Sequence, residues 1–164
     1  MALTKLNFGG QPIIPSSKMP SNTILQVKKV TWSNETQDTT QSFTDITNGT
    51  LSFTPLSANS TLKITAFLHI YLGKGGSTEV GGSFQIVHNG VALEAPDTEQ
   101  YRKVAGSGTA IFQLPHVFSN YVAAGNTNAR TIKVQGRSKL SASEYLVNKG
   151  SAYTSHIEVM EIAG

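Results

Sequence analysis

Residues 62–72 alternate without a break. Leu62, Ile64, Ala66, Leu68, Ile70 and Leu72 form one set, and Lys63, Thr65, Phe67, His69 and Tyr71 form the other. A period of two over this length places the sets on opposite faces of a strand, whereas a helix would repeat its apolar positions every three or four residues. The aliphatic set must enter a core. The other set is amphipathic, with two aromatic rings, and suits either solvent or contact with another subunit.

The rest of the chain carries the same period in shorter pieces. Leu25, Val27, Val30 and Trp32 predict a strand with a bulge at Lys28–Lys29, followed by a polar loop over 36–42. Residues 43–46 and 51–53 flank Asn48–Gly49 and predict a hairpin that ends at Pro55. Gly73, Gly75, Gly76, Gly81 and Gly82 predict a flexible connection. The clearest hairpin joins residues 83–88 to 91–95 through Asn89–Gly90. A type I′ turn there sets His88 opposite Val91 and Ile86 opposite Leu93. Further strands are expected at 109–114, 131–137 and 154–162, with polar loops at 100–108 and 121–128. The best helix candidate is the short stretch 141–147. About nine short strands with turn signals between them predict an all-β fold, an antiparallel β-sandwich or jelly roll. Its loops would gather at the ends of the sandwich, where binding commonly resides.

Composition narrows the function. The chain has 164 residues, enough for one domain with a sizeable core, and 38% of them are hydrophobic. Charged residues are 14%, below the ~25% usual for a soluble domain, and Ser and Thr supply 35 residues instead. The absence of cysteine excludes a disulfide scaffold, a thiolate metal site and a cysteine nucleophile. The net charge of +3 is dispersed, with Lys28–Lys29 and Arg102–Lys103 as the only adjacent cations, so no nucleic-acid partner is expected. Glycine and proline interrupt the N-terminus, and the longest apolar stretch, 65–72, is too short to span a bilayer. Neither a signal peptide nor membrane insertion is expected. Pro12, Pro15 and Pro20 predict that residues 1–22 form an extended arm, ordered where it docks, ahead of a β-sandwich domain at 23–164.

Catalytic signals are sparse. The chain has three aspartates, Asp38, Asp45 and Asp97, each in or beside an expected loop. His69, His88, His116 and His156 are too widely spaced for a paired-histidine metal motif; His69 and His156 read as sheet residues, His88 as a hairpin residue and His116 as a loop residue, the alternative being a ring of equivalent histidines around a symmetry axis that binds an ion or senses pH. Residues 73–77 are glycine-rich but lack the spacing of a phosphate loop. No catalytic residue, metal or cofactor is expected. Tyr101, Tyr121, Tyr145 and Tyr153 are expected as exposed loop tyrosines that could stack on sugar rings.

Several segments together resemble a family. The start Met1-Ala2-Leu3-Thr4-Lys5-Leu6 is similar to that of short tail-fibre-like virion proteins of tailed phages, cyanobacterial ones especially. Ile24-Leu25-Gln26-Val27 resembles their first domain strand. Phe43-Thr44-Asp45-Ile46, then Leu51-Ser52-Phe53-Thr54-Pro55 and residues 57–63, resemble their Thr/Ser-rich run. Residues 84–93, Ile132-Lys133-Val134-Gln135 and the ending through Met160-Glu161-Ile162 resemble later strands of that family. The likeness covers nearly the whole chain, and its specificity lies in the order of the segments. Residues 73–80, 96–108 and 121–130 depart from it.

The resemblance implies a homotrimeric, non-enzymatic virion protein, assembled in the host cytoplasm, that serves as a tail-fibre or receptor-binding component. A capsid decoration protein (cement or head fibre) is the alternative. Leu6, Phe8, Ile13 and Ile14 are the expected virion-docking anchors, and Trp32, Phe67 and Tyr71 the expected trimer contacts. Tyr101, Arg102, Tyr121 and Asn126 are the expected ligand-loop residues. The expected partners are further copies of the chain, other virion proteins, and a host-surface glycan or protein.

Overall fold

The strand at 62–72 sits at the centre of the structure, a computed structural model that describes residues 15, 18–73, 78–93, 100–106, 108–140 and 143–164. The docking anchors expected at Leu6, Phe8, Ile13 and Ile14 lie outside the described residues. Eleven strands are described: β1 Ile24–Trp32, β2 Thr36–Asp38, β3 Thr44–Phe53, β4 Thr61–Gly73, β5 Glu79–His88, β6 Val91–Ala92, β7 Tyr101–Val104, β8 Ile111–Ala123, β9 Arg130–Ser138, β10 Glu144–Val147 and β11 Ser155–Ile162. They form two antiparallel sheets packed as a β-sandwich. In the first sheet β8 runs along one edge of β4. On its other edge β11 and β10 lie end to end, followed by β1 and β2 respectively. The second sheet runs β3-β9-β5, with β6 and β7 sharing the far edge of β5.

The alternation of β4 sets the core. Leu62, Ile64, Ala66, Leu68, Ile70 and Leu72 are all at most 1% exposed. Phe84 and Ile86 of β5, Ile132 and Val134 of β9, and Ile46, Leu51 and Phe53 of β3 meet them from the second sheet. Each fully buried Leu, Ile or Phe side chain contributes about 1.5–3 kcal/mol of burial.

Several expectations are corrected. Residues 141–147 contain no helix: Glu144–Val147 is β10, and Tyr145, Leu146 and Val147 are all buried. Tyr145 is fully buried rather than exposed, and its hydroxyl meets Thr44 Oγ1 at 2.7 Å. Gly136 makes room for it, since a Cβ there would sit 2.9 Å from the Tyr145 ring. The bulge of β1 falls between Ile24 and Gln26, not at Lys28–Lys29, which turns Val27 outward and Val30 and Trp32 toward the core. Gly81 and Gly82 lie inside β5, and a Cβ at Gly82 would meet Leu72 at 2.7 Å. The polar loop at 36–42 contains β2, the loop at 100–108 contains β7, and β8 runs on through Pro115 to Ala123.

The two Asn-Gly pairs behave differently. At Asn89–Gly90 both residues have positive φ (49° and 81°), as a type I′ turn requires, and His88 pairs with Val91 as expected. At Asn48–Gly49 only Asn48 does (63°), so β3 continues through a register shift and no hairpin forms.

Candidate interaction surfaces

Alternation along β4, β8 and β11 places one set of side chains on the outer face of the first sheet. Register pairs Phe67 with Val117 on one side and His156 on the other, and Lys63 with Tyr121 and Met160. The rings there touch. Phe67 stacks on His156 at 5.2 Å and meets His69 edge-on at 4.9 Å, and Tyr153 stacks on His69 at 4.8 Å. Val117 and Tyr121 are 59% and 62% exposed. Burial holds the His156 imidazole below its usual pKa; Lys29 adds to that shift and Glu158 opposes it. This face therefore combines aromatic rings with exposed Val117, and it also carries Lys63, whose Nζ lies 5.9 Å from the Tyr121 ring centroid.

The residues expected at a trimer contact are spread in depth. Phe67 lies half-buried in this outer face. Tyr71 is on the same face but is capped by Lys149, whose Nζ sits 3.5 Å from the ring centroid. Trp32 is 5% exposed and belongs to the protomer's own core, so it presents little ring surface to a second copy. The four expected ligand-loop residues do not form one surface. Tyr101 and Arg102 are on β7, Tyr121 is on the outer face of β8, and Asn126 lies in the β8–β9 loop. Arg102 pairs with Glu79, and Asn126 accepts from Arg130.

Two buried ionisable groups, Glu161 and Arg130, and one half-buried group, His116, escape sequence reasoning. Glu161 is fully buried where the β3–β4 turn meets β11. Its carboxylate accepts from Ser60 Oγ (2.6 Å), Gln26 Nε2 (2.7 Å) and the backbone N–H groups of Leu56 and Ser57 (2.9 Å). Burial alone would raise its pKa, but these hydrogen bonds outweigh burial and hold it below the usual carboxylate value. Arg130 is 5% exposed. Its guanidinium donates to the carbonyls of Ala124 and Asn126 and to His88 Nε2 (3.3 Å), while Nε has no partner. His116 lies between the sheets, with Nδ1 2.5 Å from the Tyr101 hydroxyl, its ring stacked on Phe118, and Nε2 buried without a partner. Burial lowers its pKa to about 4. Among the described residues no three His, Asp or Glu side chains converge as a metal-ligand set.

No family model matches the chain, and no curated protein matches it in sequence. Solved structures do share parts of its arrangement. Dimeric latent PorU from Porphyromonas gingivalis aligns over 98% of this chain with 10% identity and a TM-score of 0.42. The VP2 subviral particle of infectious bursal disease virus aligns over 85% with 13% identity and a TM-score of 0.37. The insecticidal delta-endotoxin Cry8Ea1 from Bacillus thuringiensis aligns over 81% with 10% identity and a TM-score of 0.33. The chain spans 14%, 37% and 19% of those proteins' lengths respectively. At these values none of them assigns a family.

Proposed function

We propose that the chain is a non-enzymatic virion structural protein, a homotrimeric tail-fibre or receptor-binding component held to the particle by residues 1–22. The observation that carries this reading is the outer face of the first sheet. Phe67 and its ring neighbours lie beside exposed Val117, exposed Tyr121 lies four residues further along β8, and exposed apolar side chains of this kind favour association. The ordered series of tail-fibre-like segments supports the virion assignment. Shallow recognition of a host surface suits three linked copies, because weak sites gain avidity when joined.

Native mass spectrometry tests the assembly. The expected species has three times the 17.5 kDa protomer mass, and a monomer at micromolar concentration overturns the trimer. Val117→Glu places a charge on an exposed position and should dissociate the trimer while leaving the fold intact. Deleting residues 1–22 then separates the roles: lost adsorption with stable heads supports the fibre, and fragile heads identify capsid decoration instead. Depolymerisation of host polysaccharide by the pure protein would overturn the non-enzymatic reading.

A further inference from the structure

The edges of the two sheets are not alike. An edge strand offers a row of unpaired N–H and C=O groups, and folds blunt it with short strands, charges, bulges or proline. Most edges here carry such a device. β1 has exposed Lys28 and Lys29 and a register shift. β3 has Asp45 and a register shift. β2, β6 and β7 are three, two and four residues long. β8 differs: its 13 residues include no charged side chain, and it meets β4 in unbroken register. Among the described residues, no strand pairs with its other edge.

Parity along β8 shows which backbone groups face that open edge. Pro115 has no N–H yet keeps its register with His69, so the backbone N and C=O of the odd-numbered residues point away from β4. The Ile111 carbonyl shares that parity and accepts from Lys103 Nζ (2.7 Å). Ala124, of the other parity, turns its N–H back to the Ser60 carbonyl (2.8 Å). Lys103 and Pro115 therefore blunt the edge over 111–116. It is open over 117–123, where Val117, Ser119, Tyr121 and Ala123 are exposed and their outward N–H and C=O groups have no strand partner among the described residues. The stretch Val-Phe-Ser-Asn-Tyr-Val-Ala has neither charge nor proline, the composition of segments that pair with copies of themselves. We propose that residues 117–123 pair antiparallel with the same residues of a second copy, about a two-fold axis at Asn120. Val117 then lies opposite Ala123 of the second copy, and Ser119 opposite Tyr121 of the second copy. No like charges meet in this ladder, and the contact is complementary to itself. Pro115 ends the ladder, since a proline cannot extend it. The pairing uses backbone groups at the sheet edge, whereas the proposed trimer contact uses side chains of the sheet face, so the inference does not rest on the trimer.

Cross-linking tests it, because the full chain has no cysteine of its own. Val117→Cys and Ala123→Cys, both at exposed positions, are mixed and oxidised. Opposed Cα atoms in such a pairing lie about 5.5 Å apart, within disulfide reach. The mixture should form the mixed disulfide roughly tenfold more than either variant alone forms a disulfide with itself, since like positions then sit about 20 Å apart. Adding Ser119→Lys to both chains should abolish the mixed product. In the wild-type chain at about 0.5 mM, amide exchange at Val117, Ser119, Tyr121 and Ala123 should be slower than in dilute solution, and Ser119→Lys should remove that difference. Light scattering at about 0.5 mM should then give an even number of 17.5 kDa protomers: two if the face contact fails, six if it holds. A mass of one or three protomers overturns the edge pairing. So do mixed disulfides no more abundant than self-disulfides, or exchange at those four amides that is independent of concentration.

Discussion

Glu161 and Arg130 are buried to nearly the same degree at the same end of the sandwich, and the fold treats them in opposite ways. Four groups converge on the Glu161 carboxylate, two of them backbone N–H groups of the β3–β4 turn. Arg130 has no carboxylate partner among the described residues and leans on carbonyls and a neutral histidine. A short relay links them: Ser60 Oγ donates to Glu161, the Ser60 carbonyl accepts from Ala124 N–H, and the Ala124 carbonyl accepts from Arg130. The difference teaches which charge organises this end. A carboxylate surrounded by donors fixes the turn around it, whereas a cation facing carbonyls fills space and steadies one loop.

Removing Glu161 is the sharpest way to break this comparison. Glu161→Ala should strand four donors and cost about 3–4 kcal/mol, read by urea denaturation as a fall in midpoint at unchanged slope. The melting temperature should drop by roughly 6–16 °C. The acid limb gives the sign. The folded pKa of Glu161 lies below its unfolded value, so its stabilisation is present above the unfolded carboxyl pKa and disappears as pH falls through the folded one. Glu161→Gln should flatten that limb. A loss under about 1 kcal/mol in Glu161→Ala would mean that water replaces the carboxylate, and that the two sites are alike.

Much of this architecture is legible from side-chain period, and its limits have physical causes. The face of β4 follows from strict alternation because both sides of that strand differ in chemistry. β10 does not, because Tyr145, Leu146 and Val147 are buried on both faces, and a three-residue apolar run has no period to read. Asn48–Gly49 and Asn89–Gly90 are the same dipeptide. Only tertiary context separates them: Thr36 Oγ1 accepts from Thr47 N–H and Asn48 donates to Asn34, which holds the first pair inside a strand. The cross-strand row of Asp45, Gln135 and Gln85 spans three strands far apart in sequence, so spacing along the chain carries no trace of it. Glu161 sits within a recognisable terminal segment, yet its donors come from residues more than 100 positions away.

A second pH window sharpens the contrast between satisfied and unsatisfied buried groups. His116 is only half satisfied, and its folded pKa of about 4 lies below the 6.5 of an ordinary imidazole. As pH falls from 6.5 to 4 the unfolded chain takes up a proton that the folded chain refuses, so stability falls through that range. The ring is partly open to solvent, which screens the effect to about 1–2 kcal/mol. His116→Phe preserves the stacking on Phe118 and should remove this slope, with the gain over wild type largest near pH 4. Thermal melts at pH 4, 5.5 and 7 measure it. An unchanged slope in His116→Phe would assign the window to His88 and His156, whose pKa values are lowered in the same direction.

The smallest expected effect is at Arg130, and it decides whether the opening contrast holds. Arg130→Met keeps the volume of the side chain and removes a buried cation whose Nε has no partner. Replacing a poorly paired buried charge with a well-packed apolar chain is often neutral, so global stability should stay within about 1 kcal/mol of wild type. The effect should instead be local. The carbonyls of Ala124 and Asn126 lose their donor, so amide exchange over residues 124–128 should speed up while β4 and β9 keep their protection. His88 should titrate closer to its ordinary value, because Arg130 is one of the two causes of its depression, after burial. A loss as large as that of Glu161→Ala would show that four acceptors, three carbonyl oxygens and one imidazole nitrogen, satisfy a guanidinium as fully as four donors satisfy a carboxylate. Arg130 would then share with Glu161 the organisation of this end of the sandwich.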